Sequence, residues 1–231
     1  MADNIETKES TEPEKESLSE KFGKVESYFE QNKNVLYGVL GGIAAIILIY
    51  FGYKYYINEQ NNEGQISMFQ AIYYMERDSL KKALDGDGSN LGFIDIAADY
   101  SGTKAGNLAN FYAGAAYLKM GKFQEAIEYL ENFSSSDWIV QSRAFALIGD
   151  ANIELGNSDD AAEYYLKAAN RKPNKIYTPK YLMKAAFAYE LQKDYQSALA
   201  MYQRIKAEFD ETQEANEVEK YIARAEAMQG M

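Results

Sequence analysis

Hydrophobic and polar positions divide the chain into three regimes. Residues 1–16, "MADNIETKESTEPEKE", are charged and nearly devoid of apolar groups, a pattern that cannot offset chain entropy by burial and predicts disorder. Residues 35–53, "VLYGVLGGIAAIILIYFGY", run for nineteen positions without a charge. From about residue 58 onward apolar residues recur every three or four positions, interrupted by short polar breaks, which is the period of amphipathic helices. Between the first two regimes, Ser17 and Glu20 form a capping-box pattern, and Leu18, Phe22, Val25 and Phe29 follow at helical spacing. A short amphipathic helix is expected over 17–33.

The uncharged stretch reads as a membrane span. At a helical rise of about 1.5 Å per residue it covers roughly 28 Å, near the thickness of a bilayer's hydrocarbon core. Lys33 and Lys54 bracket it, and Tyr50, Phe51, Tyr53, Tyr55 and Tyr56 crowd one end as interfacial aromatics do. The run is too long for a signal peptide, and bulky aromatics stand where a cleavage site needs small residues, so the anchor (34–56) is expected to be retained. Lys15, Lys21, Lys24 and Lys33 precede it, whereas only Lys54 follows within a comparable distance. That asymmetry predicts a cytoplasmic N-terminus and a translocated C-terminal domain, 57–231. Gly38, Gly41 and Gly42 form a small-residue face on which another membrane helix could dock.

Beyond the anchor the chain repeats itself. "GKFQEAIEYL" at 121–130 returns as "GNSDDAAEYY" at 156–165 and "KDYQSALAMY" at 193–202. Windows at about 107–134, 142–174 and 179–210 align, each a helix, a short break and a second helix. Gly114, Gly149 and Ala186 fall in register in the first helices, and Ala126, Ala161 and Ala198 in the second. Leu130, Tyr165 and Tyr202 stand one turn beyond each alanine, and Phe123 and Tyr195 at the breaks. Gly121 and Gly156 are expected to end first helices, Ser158 and Thr178 to cap the helices that follow them, and Pro173 to stop a second helix. Residues 58–84 and 92–100 predict a long and a short helix, and 212–228 a capping helix with Val218, Tyr221, Ile222 and Ala225 on its apolar side. The fold class expected is all-α: an N-terminal transmembrane helix, then an α-solenoid of stacked hairpins.

The period, the small-on-small register and the proline after the second helix resemble the tetratricopeptide repeat (TPR). One hairpin cannot bury its own apolar face, so copies stack. The resemblance implies a concave groove lined by Phe111, Ala115 and Leu118, by Arg143, Ala146, Asp150 and Ile153, and by Lys180, Met183, Phe187 and Glu190. Its mixture of apolar and charged groups suits an extended peptide or a partner's helix.

Composition removes most other chemistry. There is no His and no Cys, which excludes thiol and Ser–His devices and the usual zinc and haem ligands. With 24 Lys and Arg against 35 Asp and Glu, the chain has no basic excess for nucleic acid. "DGDGSNLGFIDI" at 85–96 matches a calcium loop at Asp85, Asp87 and Ser89, but Asn90 replaces the glycine and Ile96 the glutamate. A turn is expected there. Asp95 with Asp99, and Asp159 with Asp160, read as solvated charge at helix surfaces and starts. Trp138 is expected to open a helix after Asp137 and to pack between repeats. No enzyme activity, cofactor or metal is expected, because no nucleophile, base and oxyanion site come together.

The order of parts, with "VESYFEQNKNVLYGVLGG" and the aromatic exit "YFGYKYYINEQ", is similar to the YfgM family of single-span bacterial inner-membrane proteins with a periplasmic TPR domain. The resemblance is closest over the anchor. It implies an ancillary subunit of the SecYEG translocon, acting with a PpiD-like periplasmic chaperone on emerging secreted chains. The segment 83–109 is longer and richer in glycine than that pattern. A TPR scaffold serving another envelope assembly machine, for outer-membrane proteins or the cell wall, fits the same sequence features.

Overall fold

The computed structural model describes Gly23, Tyr28 and residues 32–230. The expected tail (1–16) and most of the expected amphipathic helix (17–33) lie outside the described residues. Among the described residues there are ten helices and no strand. The chain divides into two compact units, 1–55 and 56–231.

Helix α1, Lys33–Glu76, runs through the end of the first unit and the start of the second. Its N-terminal half is apolar on every side, with Ile46, Leu48 and Ile49 all exposed. It is long and apolar enough to cross a membrane. A helix hydrophobic all round needs an apolar surrounding. Among the described residues, a Cβ added to Gly38, Gly41 or Gly42 would meet no atom within 4 Å beyond its own helix backbone.

In the second unit α1 turns amphipathic and buries Gly64, Met68 and Ala71. The Oδ1 of Asn61 accepts from the amide of Ala105 at 3.0 Å, which satisfies a donor in the first turn of a later helix. The expected helix over 58–84 is broken. Asp78 takes a left-handed φ of 56°, and the amide of Ser79 donates back to the Tyr74 carbonyl at 2.9 Å. The chain then re-enters α2 (Leu80–Asp85), followed by α3 (Phe93–Asp99).

Three hairpins follow: α4 (Lys104–Lys119) with α5 (Phe123–Glu131), α6 (Trp138–Leu155) with α7 (Ser158–Asn170), and α8 (Thr178–Leu191) with α9 (Tyr195–Glu208). Helix α10, Gln213–Gln229, closes the stack. Each helix from α4 onward packs on its neighbour in the chain, and α4 also touches α6 as α8 touches α10. Four buried clusters follow one another along the stack. The cluster around Leu130 and Ile148 joins the first hairpin to the second. The one around Tyr165 and Ala185 joins the second to the third. Val218 and Ala225 of α10 complete the one around Leu182 and Tyr202.

The hairpins close where small residues stand. Ala126, Ala161, Ala186 and Ala198 are fully buried. A Cβ on Gly114 would lie 2.5 Å from the Leu130 side chain, and one on Gly149 would lie 2.6 Å from the Tyr165 ring. In the first two repeats the large residue of the second helix therefore occupies the space that glycine leaves in the first.

Helix ends agree with the sequence in part. Gly121 and Gly156 take φ of 74° and 81° directly after α4 and α6, a conformation that glycine adopts without strain. The break before α9 has no glycine, and Lys193 takes that conformation instead, with φ 62°. Thr103, Asp137, Asp194 and Thr212 each cap a helix through the side chain. Two expected caps fall elsewhere. Ser158 is the first residue of α7, with Asn157 at the cap position. Thr178 lies inside α8, after Tyr177, and its hydroxyl is turned inward. It accepts from the amide of Asn174 at 2.9 Å and donates to the Ala169 carbonyl, pinning α8 to the end of α7.

Gly149→Val forces a branched side chain into the Tyr165 ring, and overpacking of this kind costs about 1–3 kcal/mol. At about 2–4 °C per kcal/mol for a domain of this size, thermal unfolding of the full-length protein in detergent should fall by about 5 °C. An unchanged midpoint would show that the helices do not need this close approach.

Candidate functional site

The first helices of the three repeats, α4, α6 and α8, carry the residues expected to line a groove. They do not share one fate. Phe111 is nearly buried, its ring 5.2 Å from that of Phe133, and Ala146 is buried in the cluster with Tyr165. Both serve the stack. Leu118, Asp150 and Ile153 come together around a surface depression of about 470 Å³, with Phe123, Glu154 and Tyr165.

Asp150 and Glu190 are already engaged. The Oδ1 of Asp150 accepts from the Tyr165 hydroxyl at 2.6 Å and from Lys184 Nζ at 2.6 Å. Lys184 also lies 5.5 Å from the centre of the Tyr165 ring. In the next repeat Glu190 accepts from the Tyr202 hydroxyl at 3.2 Å and, through its other oxygen, from Arg224. Arg224 in turn sits 5.1 Å from the Tyr221 ring, which stacks on Tyr202. Burial, and then the hydrogen bond to Asp150, push the Tyr165 phenol well above its ordinary pKa. Burial and the nearby Glu190 carboxylate do the same to Tyr202. Both phenols therefore remain donors at physiological pH.

These ties carry the period of the repeat. Asp150 to Lys184 and Glu190 to Arg224 each span 34 residues. A second row runs along the second helices, from Tyr164 to Glu131 over 33 residues and from Arg204 to Asn170 over 34. A polar acceptor on one hairpin thus meets its donor on the next element of the stack. Lys184, Arg224, Tyr165 and Tyr202 were not among the expected lining residues. The signal that could have found Lys184 and Arg224 is an acid followed one repeat later by a base.

What the groove still offers is narrower than the expected set. Arg143 and Lys180 are exposed, and neither forms an ion pair among the described residues. Phe187 is 49% exposed. Ala115, Leu118, Ile153 and Met183 are half-covered. Exposed cations and apolar groups of this kind can hold a polypeptide through its side chains.

The glycine-rich loop is occupied by its own hydrogen bonds. The Asp87 carboxylate accepts from the amides of Ser89 (2.8 Å) and Asn90 (2.7 Å), from Asn90 Nδ2 (2.9 Å) and from the Tyr74 hydroxyl (2.6 Å). The Tyr74 hydrogen bond, followed by those from Asn90 and Ser89, holds this carboxyl well below the usual range. Among the described residues no cluster of three acidic side chains could hold a metal ion. Trp138 opens α6 and is half-buried, edge-on to Tyr177 with Lys172 above it.

Models of the tetratricopeptide repeat match residues 113–176 and 181–212. A search of curated proteins found no match. The helical hairpins of residues 113–212 are thus tetratricopeptide repeats, and the domain they build is a protein–protein interaction module.

Proposed function

We propose that this chain is a membrane-tethered interaction module whose TPR groove holds a partner protein on the far side of the inner membrane from its N-terminus. The observation that carries this reading is the groove itself. Arg143, Lys180 and Phe187 remain open to a ligand on a domain that follows an apolar helix long enough to span a bilayer. The lysine asymmetry around the anchor favours a cytoplasmic N-terminus and a periplasmic domain.

Resemblance to the YfgM family supplies the specific setting: an ancillary subunit of the SecYEG translocon, working with a PpiD-like chaperone on emerging secreted chains. In that setting Gly38, Gly41 and Gly42 offer a face to a translocon helix, since none of the described residues outside their own helix backbone comes within 4 Å of a Cβ added there. The groove then engages the chaperone or the emerging chain. The acidic net charge of −11 leaves no basic excess for nucleic acid, and one span passes through lipid.

Crosslinking in native membranes, followed by purification in mild detergent and mass spectrometry, tests the setting. SecY and a prolyl-isomerase-like chaperone should dominate. Replacing Gly38, Gly41 and Gly42 with Leu should remove the translocon, and Arg143→Glu with Lys180→Glu should remove the groove partner. Recovery of an outer-membrane or cell-wall assembly complex in their place would overturn the translocon reading and leave the TPR module standing.

Orientation is tested separately. A cysteine in place of Ser89, an exposed loop residue, should react with a membrane-impermeant thiol reagent in spheroplasts. Protection until the membrane is permeabilised would place the domain in the cytoplasm and contradict the proposed compartment.

A further inference from the structure

Outside the groove, the part of α1 within the TPR unit carries a second seam. Gly64, Met68 and Ala71 face the domain. On the opposite side Ile66, Phe69 and Tyr73 succeed one another at three and four residues, the spacing of one helix face. Ile66 is 76% exposed, Phe69 75% and Tyr73 38%. Two large apolar side chains so open, side by side on a well-packed domain, mark an interaction surface.

Charge identifies what covers it. Glu59 and Glu63 bound the seam at one end and Glu76 at the other. Arg77, next along the chain, lies over the Tyr73 ring at 4.4 Å. A second copy of this chain does not fit. Parallel pairing sets Glu59 on Glu59 and Glu76 on Glu76, and antiparallel pairing sets Glu59 on Glu76; like charges so placed repel, and Arg77 beside Glu76 is drawn over its own Tyr73 ring. The apolar seam is also shorter than the three or more heptads that a self-sufficient coiled coil shows. Lipid does not fit either. Residues 58–63, "NEQNNE", are all polar and separate the seam along the chain from the apolar stretch 35–53.

We infer that this face of α1 docks an amphipathic helix of another protein, one whose apolar residues recur at three and four positions and are bounded by Lys or Arg. Ile66 and Phe69 supply the apolar contact, and Glu63 and Glu76 pair with the flanking cations and set the register. This site is separate from the TPR groove, so the domain can hold two partner segments at once.

A photo-crosslinking amino acid at position 69 in the full-length protein, irradiated in native membranes, tests this. The adduct, sequenced by mass spectrometry, should map to a helix of a second protein with the stated pattern. The paired variant Glu63→Lys and Glu76→Lys should reduce the adduct about tenfold, the effect of about 1.4 kcal/mol lost across two charge contacts. The same probe at position 187 reads the groove, and its adduct should be unaffected by that variant. Adducts to a second copy, adducts to lipid alone, no adduct above that of a probe at exposed Glu163, or indifference to the charge reversal would each overturn the inference. An unchanged melting temperature for the Glu63/Glu76 variant keeps the loss from being one of folding.

Discussion

The domain depends on one contact made three times. In each repeat the two helices approach until the large residue of the second, Leu130, Tyr165 or Tyr202, meets the small residue of the first. Gly114 and Gly149 have no room for a Cβ there, and Ala186 is fully buried. A hairpin this thin is still apolar on its outer sides. It becomes stable only when the next hairpin covers it, which is why the buried clusters run in series and why α10 is needed at the end.

Polar side chains follow the same logic. The ties at 33 and 34 residues join the three hairpins through their second helices, and join the second hairpin to the third and the third to α10 through their first helices. The Tyr165 and Tyr202 hydroxyls reach the groove side and anchor Asp150 and Glu190. Packing therefore decides which of the expected lining residues stay accessible. The acids are held within the stack, and Arg143, Lys180 and Phe187 are left facing outward on a chain whose net charge is −11.

Much of this was legible in the sequence because the physics is local and repeated. The register of Gly114, Gly149 and Ala186 marks the close approach, and the glycines at 121 and 156 mark left-handed turns. The break at 77–79 was not legible, since it contains neither glycine nor proline and Asp78 takes an uncommon backbone state. Thr178 has the chemistry of a cap, but the neighbouring α7 offers its hydroxyl a buried carbonyl, and tertiary structure wins. Phe111 and Ala146 have groove spacing yet turn into the core, because a helix in a stack presents adjacent stripes to two neighbours. The exposed seam on α1 was hidden for a related reason. Apolar residues lie on two opposite sides of that helix, and spacing alone does not say which side the domain covers.

The central claim, that each hairpin is completed by the next, is tested most directly by hydrogen exchange on a protein ended after Asp210, which lacks α10. The account predicts that amides of α8 and α9 lose most protection, those of α6 and α7 less, and those of α4 and α5 least. Equal loss of protection in every helix would mean the domain is one indivisible cooperative unit. No loss in α8 and α9 would mean that the final hairpin does not need its cover. Either result would contradict the account.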